Sequence, residues 1–177
     1  MTISLYDATV PSFLQILRGL DGQVAKAAEF CAEQGIGEEE FQSARIADDM
    51  LPFPWQVRFG PGHSIKAIEA IRSGIYDADF SEPPATFAEQ RAMLADAIAA
   101  LEQLDRTEVD GLVGRDVVFR IESAGIEVPF VAENFLFSFS LPNFYFHVTT
   151  AYDLIRAKGV PIGKMDFLGT MRTKVAV

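Results

Sequence analysis

Apolar residues recur along the first part of the chain at alternating intervals of three and four. The series comprises Val10, Phe13, Leu17, Leu20, Val24, Ala27 and Cys31. Residues at these intervals share one side of a helix, so the pattern predicts a long first helix with one buried face. Pro11 is expected near its start, where a missing N–H costs least, and Gly35 is expected to end it.

Two further helices are predicted in the middle of the chain. The second runs from about Pro52 to Arg72, and Gly60-Pro61-Gly62 predicts a kink or a fresh helix start at Pro61, because proline removes a helix hydrogen bond. The stretch from Ser73 to Ala85 is expected to be a loop. Thr86 opens the third helix, since Thr86 and Glu89 have the spacing of a capping box.

The last third of the chain predicts two strands and a fourth helix. Apolar residues alternate in 117–121 and 126–130, which indicates a small β-hairpin. A helix apolar nearly all round follows from about Ala132 to Lys158, with a bend expected at Pro142. The predicted fold is an all-α four-helix bundle with a small β-hairpin between helices 3 and 4, in one domain over residues 1–177.

Composition excludes several classes of function. The 177 residues carry a net charge of −10, with 15 Lys and Arg against 25 Asp and Glu, so no nucleic-acid partner is expected. Cys31 is the single cysteine, which excludes an internal disulfide, and its place on the apolar face indicates an inert core thiol. No apolar run reaches the ~18 residues of a membrane span, and the first residues lack the pattern of a secretory signal. A cytoplasmic protein is therefore expected.

Candidate chemistry lies in the fourth helix. Ser140, Asn143, His147 and Thr150 fall within about one quarter of its circumference. Buried polar groups without hydrogen-bond partners cost ~1–3 kcal/mol each. These four side chains are therefore expected to bond to one another, to another helix, to water or to a metal. His63, the only other histidine, lies on the second helix, which can face the fourth. Two neutral imidazoles would give a divalent ion two ligands, with the Asn143 oxygen, the Thr150 hydroxyl or water completing its shell.

Other interpretations stay open at this point. His147 could take part only in a hydrogen-bond network with Asn143 and Thr150 on its own helix, with His63 an ordinary core or surface histidine. Asp48 and Asp49 could be paired catalytic carboxylates, but they precede His63 by a distance of about 20 Å along a helix. They are expected instead to cap the second helix, whose N-terminus favours anions.

The sequence resembles proteins of the DinB-like superfamily. The segment LPNFYFHVTTAY, at 141–152, followed by 153–156 and Gly159-Val160-Pro161, is similar to the last helix of a branch without assigned function. The segments 4–7 and 44–52 resemble the same branch. The likeness covers nearly the whole chain, and the last-helix segment is its most specific part.

The resemblance implies a DinB-like four-helix bundle, often a homodimer, that holds a divalent metal such as zinc or nickel. The family uses one histidine on the second helix and two, four apart, on the last. Carried over, His63 and His147 match two ligands, and Asn143 stands at the position of the third, where an amide oxygen is a poorer donor. The expectation is a degenerate metal site, serving metal-dependent thiol transfer or hydrolysis. The alternative is a non-catalytic bundle that acts in dimeric interaction or binds a small apolar ligand.

Overall fold

The structure is a computed structural model that describes residues 3–174, so both ends of the predicted 1–177 domain lie outside the described residues. It is mostly helical, with one small sheet. The elements are α1 (Leu5–Gln34), α2 (Glu39–Gln42), α3 (Phe53–Gly62), α4 (Ile65–Ser73), β1 (Ile75–Asp77), α5 (Phe87–Glu102), α6 (Arg106–Asp110), β2 (Asp116–Ile121), a 3₁₀ turn (Glu122–Ala124), β3 (Ile126–Val131), α7 (Ala132–Asn134), a π-helical segment (Phe135–Ser140), α8 (Leu141–Ala157) and α9 (Lys164–Leu168).

Helix α1 contains the apolar series of the first part of the chain, and all seven of those residues are buried as predicted. The helix begins at Leu5 instead of near Pro11, because the Ser4 side chain accepts a hydrogen bond from the amide of Asp7 and caps the N-terminus. Pro11 therefore lies inside the helix. Gly35 ends it with φ of +65°, a conformation that suits glycine.

The predicted second helix is divided into α3 and α4, and the division falls after Pro61. Pro61 lies in the last turn of α3, and the amide of Ser64 bonds to its carbonyl. His63 is consequently the C-cap residue of α3, at the junction of the two helices. This junction places the His63 side chain at the end of one helix, where the backbone changes direction.

The sheet has three strands in the order β1-β2-β3, so the mostly helical fold carries a small sheet that extends the predicted hairpin by one strand. Strands β2 and β3 pair antiparallel, with Ile121 opposite Ile126. Strand β1, in the stretch predicted to be a loop, pairs parallel with β2, with Ile75 opposite Val118. A strand of three residues is too short to show an alternating pattern, which is why the sequence did not predict it.

The last predicted helix is observed as α7, the π-helical segment and α8 in succession. Just before Pro142, where a bend was expected, the helix has a wider turn in which the Leu141 amide donates to the carbonyl of Leu136, five residues back. Proline clashes with the carbonyl four residues before it, and a wider turn relieves that clash. Phe135 and Ser140 of this segment are buried.

The core lies where α1, α3, α5 and α8 meet. Helix α1 packs against α5 and α8, and α3 packs against α8 and α5. The rings of Phe13 and Phe144 meet edge to face in this core, with centroids 4.9 Å apart. The expectation of four long helices is too simple for residues 3–174, since short helices and the sheet flank this core.

Within the same residues, no helix combines the length and hydrophobicity needed to cross a bilayer.

Candidate functional site

Two histidines from separate helices meet beside a cavity. His63 ends α3, and His147 lies in the middle of α8. Their imidazole rings are parallel to within 2°, and the ring centroids are 5.7 Å apart. The convergence follows from the packing of α3 against α8.

His63 is enclosed by aromatic rings. Its exposed fraction is 5%, and the rings of Phe59, Tyr76 and Phe139 lie with centroids 5.8, 5.9 and 5.6 Å from its own. Its Nδ1 is buried and has no hydrogen-bond partner among the described residues. An unpaired buried polar atom costs free energy, so this nitrogen is a candidate for pairing with a bound group.

The backbone around His63 is fixed by two side chains. Ser140 donates a hydrogen bond from Oγ to the carbonyl of His63, at 2.9 Å. Tyr76 donates from its hydroxyl to the carbonyl of Gly62, at 3.1 Å. Burial, with a smaller contribution from Asp79, raises the pKa of Tyr76 to about 12, so its hydroxyl stays protonated as a donor.

His147 is oriented by a buried glutamine. Its Nδ1 lies 2.8 Å from Oε1 of Gln56, whose own Nε2 donates to the carbonyl of Leu51 at 2.7 Å. Gln56 has an exposed fraction of 1%. The face of the His147 ring packs against Phe59, with centroids 4.5 Å apart.

Asn143 and Thr150, on the same face as His147, bond to the backbone of their own helical stretch. Asn143 donates from Nδ2 to the carbonyl of Phe139, and Thr150 donates from Oγ1 to the carbonyl of Phe146, both at 2.7 Å. The predicted network of His147 with Asn143 and Thr150 is therefore wrong: the structure pairs His147 with another helix.

Both imidazoles are neutral at physiological pH. Burial, together with the nearby His147, lowers the pKa of His63 from 6.5 to about 3. Burial lowers the pKa of His147 from 6.5 to about 4. A neutral imidazole keeps a nitrogen lone pair, which can bind a metal ion or accept a hydrogen bond.

The cavity beside the histidines has a volume of about 910 Å³. His63, His147 and Asn143 line it, together with apolar and aromatic side chains and with charged residues that include Lys66 and Glu69. The aromatic lining consists of Phe59, Tyr76, Phe80, Phe119 and Phe139. A cavity of this size with a few polar groups at one place has the form of a small-molecule site.

Three of the charged residues that line the cavity form a cluster. Arg58 forms an ion pair with Asp79 and donates a hydrogen bond to Ser81 Oγ at 3.0 Å, and Lys66 lies 3.8 Å from the Asp79 carboxylate. Hydrogen bonds from Ser81, with the Arg58 guanidinium nearby, lower the pKa of Asp79 to about 2. The ionised carboxylate thus holds the segment after β1 against α3.

The family is shown by comparison with known proteins. The profile of a family described as Domain of unknown function (DUF1993) matches residues 5–168. The chain belongs to the DUF1993 family. No curated protein matches it.

A crystal structure of a DinB family member protein from Shewanella denitrificans is similar to this DUF1993 chain. The sequence identity is 25%, the TM-score is 0.80, and the match covers 97% of this chain and 96% of that one. The resemblance to the DinB-like superfamily is therefore confirmed, and the DUF1993 fold is DinB-like.

The donor set of this DUF1993 protein fits an open metal site but not a closed one. Within residues 3–174, no cluster of three or more His, Cys, Asp or Glu side chains could hold a metal ion. With metal–nitrogen bonds of about 2.1 Å, two imidazoles that share an ion have ring centroids within about 6.5 Å. The 5.7 Å between the rings of His63 and His147 is within this limit. Because the two ring planes are parallel, a small rotation of one ring is needed for both nitrogen lone pairs to point at one ion. The Asn143 amide nitrogen bonds to the carbonyl of Phe139, which leaves its side-chain oxygen as a further candidate metal ligand of this cavity-lining residue.

Two other predicted candidates lie apart from this site. Asp48 and Asp49 are exposed, and neither caps α3, whose N-cap residue Pro52 makes no side-chain cap bond. The capping prediction is wrong because the turn that contains them ends before the helix begins. Cys31 is buried, and burial raises the pKa of its thiol, as expected of a core residue.

Gln56 was not predicted from the sequence. Gln56, Phe59 and His63 follow helical spacing, which places them on one face of a helix. That spacing is the signal that could have indicated a partner for a histidine of the facing helix.

Proposed function

We propose that His63 and His147 bind one divalent metal ion at the polar end of the cavity. The observation that supports this most directly is that imidazoles from separate helices approach each other beside the cavity, with ring centroids 5.7 Å apart. The unpartnered Nδ1 of His63 and the neutral state of both rings agree with it. Such a site is open, because two imidazoles and one amide oxygen leave coordination positions for water or substrate.

Different residues of the chain serve different roles at the proposed site. Gln56 orients His147, and the aromatic side chains of the cavity hold the apolar part of a substrate and exclude water. A divalent ion bound there would lower the pKa of a bound water or thiol and so supply a nucleophile. The reaction classes we propose are hydrolysis and thiol transfer.

Metal analysis of untagged protein tests the proposal. Cells are grown with ample zinc or nickel, and the metal content per chain is measured for the wild type, His63→Ala, His147→Ala and the control Asp153→Ala, an exposed residue of α8. We expect metal in the wild type and in Asp153→Ala, and its loss from both histidine variants, with circular dichroism confirming that each variant folds. A metal-free wild type, or histidine variants that keep the metal, would contradict the proposal.

A second candidate function is the binding of a small apolar molecule without a metal. It is favoured by the cavity of about 910 Å³ with its aromatic lining, and by Asn143 in place of a third imidazole. In this case the two neutral imidazoles provide the hydrogen-bonding end of the site.

Binding of an apolar fluorophore to chelator-treated protein tests the second candidate. The uncharged fluorophore N-phenyl-1-naphthylamine is titrated into the wild type, into Ala70→Leu, which fills part of the cavity, and into Ala95→Leu, an exposed control on α5. We expect saturable binding at one site in the wild type and the control, and weaker binding in Ala70→Leu. Equal binding by all three proteins would place the fluorophore elsewhere and contradict this function.

A further inference from the structure

We infer that Gln56 is a positioning residue: it fixes His147 in the tautomer that carries its proton on Nδ1, so that Nε2 offers a lone pair to the cavity. The inference rests on the proposed function in one respect, namely that the cavity binds its ligand at His147. It goes further because it assigns a role to a residue outside the predicted ligand set and restricts the chemistry of the ligand.

The orientation of the Gln56 amide follows from its two partners. The carbonyl of Leu51 can only accept a hydrogen bond, so the amide group 2.7 Å from it must be the NH₂ of Gln56. The amide oxygen then faces Nδ1 of His147 at 2.8 Å. An oxygen acceptor requires a donor, so Nδ1 carries the proton and Nε2 has the lone pair.

Packing prevents water from replacing this arrangement. Gln56 is 1% exposed and is not part of the cavity lining, whereas His147 lines the cavity. The nitrogen bonded to Gln56 is therefore turned away from the cavity. The rings of Phe59 and Phe146, with centroids 4.5 and 5.1 Å from that of His147, restrict rotation of the imidazole.

The fixed tautomer selects a class of ligand. A lone pair on neutral Nε2 binds a metal ion or accepts a hydrogen bond from a hydroxyl, a thiol or an N–H group. It repels a carboxylate oxygen, which has no proton to donate. A neutral amide at position 56 also does little to stabilise a protonated imidazole, whereas a carboxylate there would favour it. The ligand group that meets His147 is thus a metal ion or a hydrogen-bond donor, and not an anion.

Nitrogen-15 NMR of the histidine rings tests the tautomer directly, in metal-free protein. The chain has two histidines, so the spectrum of His147→Ala assigns the His147 signals. We expect a protonated Nδ1 and an unprotonated Nε2 in the wild type. Gln56→Met removes the acceptor and should shift the proton to Nε2, while Gln56→Glu, measured at pH 8 so that the imidazole stays neutral beside the carboxylate, keeps an acceptor and should keep the proton on Nδ1. An unprotonated Nδ1 in the wild type, or a Gln56→Met spectrum like that of the wild type, would overturn the inference.

Zinc titration separates this inference from the proposed metal site. We expect Gln56→Met to lower zinc affinity by about 10–100-fold and Gln56→Glu to restore it. Gln23→Met is the matched control, because Gln23 is equally buried and donates to the carbonyl of Asp166, away from the cavity. Wild-type protein that binds no zinc refutes the metal site and leaves the tautomer result standing. Equal zinc affinity in wild type and Gln56→Met refutes the role of Gln56 alone.

Discussion

Ser140 donates a hydrogen bond to the backbone carbonyl of His63, at 2.9 Å, and both residues are buried. Ser140 ends the π-helical segment that leads into α8, the helix of His147. The stretch of chain that carries one histidine therefore fixes the backbone of the other. We expect this bond to stabilise the junction of α3 and α4 at which His63 lies.

Replacing Ser140 tests that expectation. Ser140→Ala leaves the buried carbonyl of His63 without this donor, and we expect the free energy of unfolding to fall by about 1–3 kcal/mol in urea titrations. Ser138→Ala is the control, since Ser138 is exposed and bonds within its own helical stretch, to Asn134. Its effect should stay within about 0.5 kcal/mol. Equal effects of the two substitutions would show that the bond does not stabilise the junction.

The stability of chelator-treated protein should fall in mild acid. The unfolded chain protonates His63 near pH 6.5, but burial lowers the pKa of the folded form to about 3, so the unfolded state binds more protons between these values. The stabilisation that comes from the lowered pKa of His63 is fully present above pH 6.5 and is lost progressively as the pH falls toward 3. At pH 5, His63 alone should reduce the free energy of unfolding by about 2 kcal/mol relative to pH 7.5.

Removal of both imidazoles provides the control for this pH dependence. The double variant His63→Leu/His147→Leu has no histidine, because the chain contains two. Its free energy of unfolding should change little between pH 7.5 and 5. A double variant with the same loss in acid as the wild type would assign the effect to other groups.

Two glycines of α1 should respond in opposite directions to alanine. A Cβ at Gly19 would lie 2.7 Å from the carbonyl oxygen of Phe167, a backbone atom of α9, so Gly19→Ala should destabilise by about 1–3 kcal/mol. A Cβ at Gly22 would meet nothing within 4 Å, so Gly22→Ala should stabilise by about 0.4–1 kcal/mol. Thermal unfolding measures both. Equal shifts in Tm would contradict the close docking of α9 on α1.

The homodimer implied by the superfamily stays a prediction. Sedimentation equilibrium measures it, with twice the chain mass of 19.5 kDa expected. A mass of one chain over micromolar concentrations would contradict it.

Local signals in the sequence predicted much of the helical architecture. The apolar face from Val10 to Cys31 is buried, and Thr86 and Glu89 form the expected capping box. Both features depend on residues within a few turns of one another. The approach of His63 to His147 was also inferred, because two histidines on facing helices allow few arrangements; metal binding by the pair stays a prediction.

Features that depend on distant contacts were not predictable in the same way. Strand β1 forms because it pairs with β2, and its three residues are too few to show a periodic pattern. The break between α3 and α4 falls at His63 and Ser64, and the Ser140 bond that holds it comes from another part of the chain. The pairing of Gln56 with His147 likewise requires the packed helices.

Counting the imidazoles bound to the metal tests the central claim most directly. X-ray absorption spectroscopy of zinc-loaded wild-type protein reports the number of histidine ligands from the scattering of their rings. We expect two imidazoles per zinc in the wild type, and no bound zinc in His63→Ala or in His147→Ala. Zinc with one imidazole or none in the wild type would contradict a metal site shared by His63 and His147.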